Sequence, residues 1–210
     1  PEFLLTHPVT ESRIADTRNR AEQAKLGGTE DSLRYQLIRA RVQLKYEDTP
    51  GLAAKRFQAQ LDENPKSDVA RYGLAIAQIK GTKLKEAREN LAPLLAKSPN
   101  DITYNLAQIE LDITNNRLPE AQQRTDRMLT QYPGNYPLNQ VRVDLLLKQN
   151  RTADAEKALD GLLKSRPDDP DVWYQVAETR GLSGNIIGLH QARAEYFALV
   201  GDFKQAIQQL

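Results

Sequence analysis

From about residue 32 onward, apolar side chains recur at three- and four-residue spacing, and prolines break the pattern at regular intervals. The stretch VARYGLAIAQIK places Leu74, Ala75 and Ile79 at helical spacing. A turn at Gly81-Thr82 follows. KEARENLAPLLAK then sets Ala87, Leu91, Leu94 and Leu95 on one face of a second helix. The pattern predicts a chain of amphipathic helix pairs joined by short turns.

Two series of residues fix the period. Pro65, Pro99, Pro133 and Pro167 stand 34 residues apart, and so do Ala53, Ala87, Ala121 and Ala155. A proline inside a helix costs about 3 kcal/mol, so the prolines mark boundaries. Asp68, Asp101, Asn135 and Asp169 follow them as candidate helix caps. An alanine at a fixed point of the second helix lets its neighbour approach closely. A 34-residue helix–turn–helix with these anchors resembles the tetratricopeptide repeat over about residues 32 to 210. The resemblance implies an all-α solenoid of stacked antiparallel helix pairs. Two places depart from the pattern. Ile109 stands where the first helix usually has a small residue, and Leu106-Ala107 falls early, so that helix is expected to be longer or shifted. LSGNIIGLH reads as an insertion in place of a second helix, with the pattern resuming at Ala194, Gly201-Asp202 and Ala206. On this reading Leu210 lies inside a second helix. A solenoid needs a polar cap, so the natural chain is expected to run further.

In this fold the first helices line a concave groove. The fifth and ninth positions of successive repeats are Ile38 and Val42, Tyr72 and Ile76, Leu106 and Glu110, Gln140 and Asp144, and Tyr174 and Glu178. The groove reads as apolar and aromatic at one end and acidic further along. Its apolar members can equally be packing residues. None of the ten is Lys or Asn, which argues against the subclass that clamps chaperone C-terminal carboxylates. Extended polypeptide or a partner helix suits such a groove better.

Charge and motifs narrow the picture. Net charge is +1 and both signs are interleaved throughout, so the basic stripe of a nucleic-acid binder is missing. The chain has no cysteine, hence no disulfide, thiolate nucleophile or cysteine metal site. No apolar run approaches the ~20 residues of a membrane helix. There is no HExxH, GxSxG or Gly-rich phosphate loop. His190 reads as a structural or exposed histidine on a helix of the array. Asp168, Asp169 and Asp171 read as capping residues around Pro170.

The first residues are of another kind. Gly27 and Gly28 form a joint, and residues 10 to 26 read as a helix capped by Thr10. Ile14, Ala21 and Ala24 are available for packing there, and Arg13, Arg18 and Arg20 lie along it. Pro1 rather than Met opens the chain, so we expect a mature or excised piece. Ahead of the helix stands THPVTESR. Its Thr6-His7-Pro8 and Arg13 resemble the last part of the catalytic domain in zinc metalloproteases related to the CAAX prenyl protease. Joined to a downstream repeat array, this resembles a family of periplasmic metalloproteases of Gram-negative bacteria.

That resemblance implies a two-part molecule. Residues 1–28 would be the tail of the protease domain plus a basic linker helix, and 29–210 the repeat domain. The intact protein would hold Zn2+ and promote assembly of outer-membrane β-barrel proteins, degrading those that stall. Its partners would be the barrel-assembly machinery, unfolded or stalled outer-membrane proteins, and its own protease domain. His7 and Arg13 would lie near the protease cleft, or His7-Pro8 would only set the chain's entry into the helix. The zinc ligands and the catalytic glutamate have no counterpart here, so these residues alone are expected to lack proteolytic activity. Two other readings stand beside this one: a non-enzymatic repeat scaffold or adaptor of the cell envelope, and a repeat domain that regulates the protease by packing on it.

Overall fold

The computed structural model describes residues 10–23 and 30–210. The chain divides into two compact units, Pro1–Ser32 and Leu33–Leu210. The first contains α1 (Thr10–Gln23), which begins at Thr10 itself. Thr17 Oγ1 donates to the Arg13 carbonyl at 2.7 Å, and Asp16 pairs with Arg20 one turn on. Ile14 and Ala21 are exposed on this helix, not packed within it. Ala24 and the Gly27-Gly28 joint lie outside the described residues.

The second unit is all helical among its described residues. It runs α2 (Leu33–Lys45), α3 (Pro50–Glu63), α4 (Asp68–Lys80), α5 (Leu84–Lys97), α6 (Ile102–Thr114), α7 (Leu118–Gln131), α8 (Tyr136–Lys148), α9 (Thr152–Ser165), α10 (Pro170–Leu182), α11 (Ile186–Leu199) and α12 (Phe203–Gln209). Helices α3, α5, α7, α9 and α11 each start 34 residues after the last, as do α4, α6, α8 and α10.

This register corrects three expectations. Helix α6 has the 13 residues of its counterparts and is not shifted. Ile109 is fully buried there among Ala121, Met128, Leu138 and Leu145, so its extra volume fills space between repeats. LSGNIIGLH is no insertion: it is the usual turn followed by the start of α11. It looks irregular because Leu189 holds the alanine position. Gly188, one residue earlier, takes the close approach, where a Cβ would meet Arg180 Cδ at 2.8 Å. In consequence α12 is a first-type helix, and Leu210 ends beside it rather than in a second helix. The capping series also shifts at one place. Ser67 accepts from Ala70 N–H, in phase with Asp101, Asn135 and Asp169. Asp68 instead pairs with Lys97 at 2.6 Å.

Two further 34-residue series hold the turns. Thr82, Asn116, Asn150 and Gly184 all have positive φ, at 57, 55, 57 and 76°. The next residue's N–H returns to the helix: Lys83 to Gln78 O at 2.8 Å, Arg117 to Asp112 O at 2.7 Å, Arg151 to Leu146 O at 2.8 Å and Asn185 to Arg180 O at 2.9 Å. These are Schellman closures, which satisfy the carbonyls left free at a helix end. The second series satisfies the proline carbonyls. Arg71, Asn105, Asn139 and Trp173, each six residues on, donate to the oxygens of Pro65, Pro99, Pro133 and Pro167 at 2.7–3.0 Å.

The core runs through the stack. All four periodic alanines are fully buried. Gly73 lets α4 close on α3, since a Cβ there would sit 2.4 Å from the Phe57 ring. Helices α2, α4 and α6 pack on one another as an inner layer; α5, α7, α9 and α11 each pack on the first-type helices either side, and α3 packs on α4. Helix α4 is enclosed on nearly every side, with Tyr72 through Ile79 all buried.

Candidate functional site

The first-type helices α2, α4, α6, α8 and α10 carry the ten groove positions on their inner face, and the structure sorts them by availability. Ile38 and Val42 on α2 are half exposed, at 49% and 50%. Tyr72 and Ile76 on α4 are buried and serve as core. Their neighbour Arg41, absent from the groove positions, ties this part together. Its Nε donates to the Tyr72 hydroxyl at 3.0 Å, and its Nη1 to Glu110 Oε1 at 2.6 Å. One side chain thus spans α2, α4 and α6. Arg41 Nη2 is buried and has no partner among the described residues. The Tyr104 ring packs 5.9 Å from that of Tyr72, and its hydroxyl is buried and unpartnered.

The electrostatics follow from this geometry. Burial works against the Arg41 charge, but Tyr72 and Glu110 outweigh it and hold the guanidinium above its ordinary value. Burial pushes the Tyr72 hydroxyl up to about 12, against the pull of Arg41. Burial does the same to Tyr104, also to about 12, with Asp68 and Asp101 adding to it. Glu110 is therefore not a free acidic group: its carboxylate is already engaged.

Beyond α6 the surface opens. Leu106 is half-buried against the core of the third repeat. Gln140 donates to the Tyr136 hydroxyl and leaves its own Oε1 buried and unpartnered. Asp144 is solvent-facing, yet partial burial pushes its carboxyl above the usual range while Lys148 opposes the shift. Tyr174 is 51% exposed and stands edge-on to Tyr196 at 5.7 Å. Glu178 is exposed, with Arg193 3.9 Å away. The inner face therefore offers exposed apolar contacts at Ile38, Val42 and Tyr174 and acceptors at Asp144 and Glu178. Such a set holds a polypeptide by its side chains and backbone amides. It contains no nucleophile paired with a base.

Of the N-terminal pair, Arg13 lies exposed on α1, and His7 falls outside the described residues. His190 Nδ1 meets Gln209 Oε1 at 2.9 Å on the exposed side of α11. Asp169 caps α10 by accepting from Asp171 N–H and takes an ion pair from Arg166. Among the described residues no three His, Cys, Asp or Glu side chains are grouped to hold a metal ion. No described helix is long and apolar enough to cross a membrane.

The helix pairs, their 34-residue register and their shared inner layer define a tetratricopeptide-repeat protein. The family model for the tetratricopeptide repeat matches residues 46–109 and 112–178, and the chain belongs to that family. A thermophilic tetratricopeptide-repeat protein of Thermus thermophilus superposes with a TM-score of 0.67 at 22% identity, over 85% of this chain and 97% of that one. That likeness is one of fold. Sequence similarity points more narrowly. The β-barrel assembly-enhancing protease of Yersinia pestis is 31% identical over 212 residues, 99% of this chain and 43% of that protein. The protein of the same name from Escherichia coli K12 is 36% identical over 121 residues, 55% of this chain and 24% of that protein. The chain spans less than half the length of these relatives.

Proposed function

We propose that this chain is the interaction and chaperone-like domain of a periplasmic zinc metalloprotease serving outer-membrane β-barrel assembly. The observation that carries the reading is the similarity to the Yersinia pestis protease along 99% of the chain. That match reaches back through α1, ahead of any repeat. Thr6, His7, Pro8 and Arg13 would then be the tail of the protease domain. Zinc would be held outside the described residues, which group no ligand set for it. The open inner face would hold a stalled β-barrel protein or a component of the assembly machinery. Holding a substrate beside an active site raises its effective concentration without requiring tight binding.

The test places a photo-crosslinking residue at Val42, Asp144 or Glu178 in cells, with Lys85 on the exposed side of α5 as the reference. Adducts with outer-membrane β-barrel proteins from the first three and not from Lys85 are expected. Equal labelling at all four positions would count against the groove. Absence of stoichiometric zinc from the natural protein would remove the protease part of the reading and leave a scaffold.

A further inference from the structure

A second polar crevice lies away from the inner face. It encloses about 590 Å³ between α5 and α7, with α6 as its floor. Its floor residues Gln108 and Asp112, with Asn105 beside them, project from the side of α6 opposite Leu106 and Glu110, as 3.6 residues per turn requires. Four arginines gather there: Arg88 from α5, Arg117 at the α7 cap, and Arg124 and Arg127 from α7.

Their pairing is incomplete. Arg117 has a carboxylate partner, Glu120 at 2.8 Å. Arg88, Arg124 and Arg127 form no ion pair among the described residues. Arg124 Nη1 and Arg127 Nη2 instead converge on one neutral oxygen, Asn105 Oδ1, at 2.9 and 3.1 Å. Arg124 Nε is buried and has no partner among the described residues. Burial, and then the neighbouring Arg127 charge, lower the affinity of Arg124 for its proton, with Asp112 opposing them. Two cations brought to one amide oxygen, with a buried donor to spare, form an arrangement that an incoming oxyanion would complete.

The repeat itself does not ask for these arginines. The residues 34 before and 34 after Arg124 are Asn90 and Ala158. Those flanking Arg127 in the same way are Pro93 and Gly161, and those flanking Arg88 are Ala54 and Gln122. In the preceding repeat Asn90 stands in the place of Arg124 and donates at 3.0 Å to Gln78, which stands in the place of Asp112. None of the three arginines recurs as an arginine at the equivalent positions on either side.

We infer that the α5–α7 crevice binds an acidic peptide segment of a partner protein, its carboxylate held by Arg88, Arg124 and Arg127. The remaining lining selects a peptide over a simple phosphate. Asp112 and Glu120 bring carboxylates that repel a second anion, and Gln108 and Gln123 bring amides that both donate and accept. Their oxygens receive peptide N–H groups beside a bound carboxylate. The site is distinct from the inner face and does not depend on the protease reading.

Calorimetric titration of the purified protein with a short Asp/Glu-rich peptide tests the inference, with the Asn/Gln version of that peptide and inorganic phosphate as competing probes. The acidic peptide is expected to bind, and to weaken as salt screens the pairing. R88E and R127E should each lower its affinity about tenfold or more. Lys55→Glu, in the neighbouring crevice lined by α3 and α4, should leave it unchanged. Arg88 is exposed and makes no hydrogen bond among the described residues, so R88E keeps the test clear of folding effects, and an unaltered melting curve checks this. Binding indifferent to R88E, equal binding of the Asn/Gln peptide, no binding of the acidic peptide, or its displacement by phosphate at matching concentration would each overturn the inference.

Discussion

The inner face behaves differently at its two ends. Across α4 and α6 it is closed: Tyr72 and Ile76 are core, and Arg41, reaching over from α2, fastens Tyr72 and Glu110, while Ile38 and Val42 on α2 stay half exposed. Across α8 and α10 the matching positions remain accessible, with Asp144, Tyr174 and Glu178 facing solvent. Both ends use the same helix pair and the same register. The first part has committed its polar groups to each other and serves as a rigid support. The second keeps its groups available and is the better place to receive a partner.

The contrast can be broken or sharpened by substitution. Phe57→Ala empties a buried site against Gly73 and should cost about 3–5 kcal/mol in urea unfolding. Phe203→Ala on α12, where the ring is 66% exposed, should change stability by less than about 0.5 kcal/mol. Equal losses at the two would mean that the ends are not packed differently. Arg41→Met removes the fastening and leaves the Tyr72 hydroxyl buried without a partner, at a cost of about 1–3 kcal/mol. Tyr104→Phe, in contrast, deletes a hydroxyl that has no partner already and should cost nothing measurable.

A pH series separates the same residues. Tyr72 and Tyr104 have folded values near 12 against 10.0 in the open chain, so the folded state keeps their protons longer. Their contribution is fully present below pH 10 and is lost as pH rises from there to about 12. Tyr72→Phe or Tyr104→Phe should each flatten the fall of stability in that window, and an unchanged slope would contradict the burial. The smallest effect belongs to the open end. The Asp144 carboxyl is raised, so its charged form is slightly disfavoured on folding. Asp144→Asn at neutral pH should therefore leave the melting temperature unchanged or slightly higher.

Much of this architecture was legible in the residues, because proline and alanine recur in kind as well as in place. Buried alanines at 53, 87, 121 and 155 leave little freedom in how the helices meet. The turns were harder to read. Thr82, Asn116 and Asn150 take a backbone conformation usually left to glycine, so no glycine series announces it. The proline carbonyls are satisfied by Arg71, Asn105, Asn139 and Trp173, four donors of three chemical kinds, and a search by residue type misses them. The groove was legible in position and not in availability. Arg41 reaches Tyr72 and Glu110 from 31 and 69 residues away, and no local pattern records such a bond. The arginine crevice was hidden likewise, since interleaved acids cancel its charge along the sequence.

The Arg41–Glu110 bond has a consequence for how the stack comes apart. When each repeat touches only its neighbours, order is lost from the ends inward, one repeat at a time. Here a single side chain reaches past the second repeat to the third, so the first cannot fray without breaking a link two units away. The leading three repeats should open as one cooperative block and the trailing ones singly. The amide hydrogens of α4, buried at the middle of that block, should then exchange among the slowest of the domain.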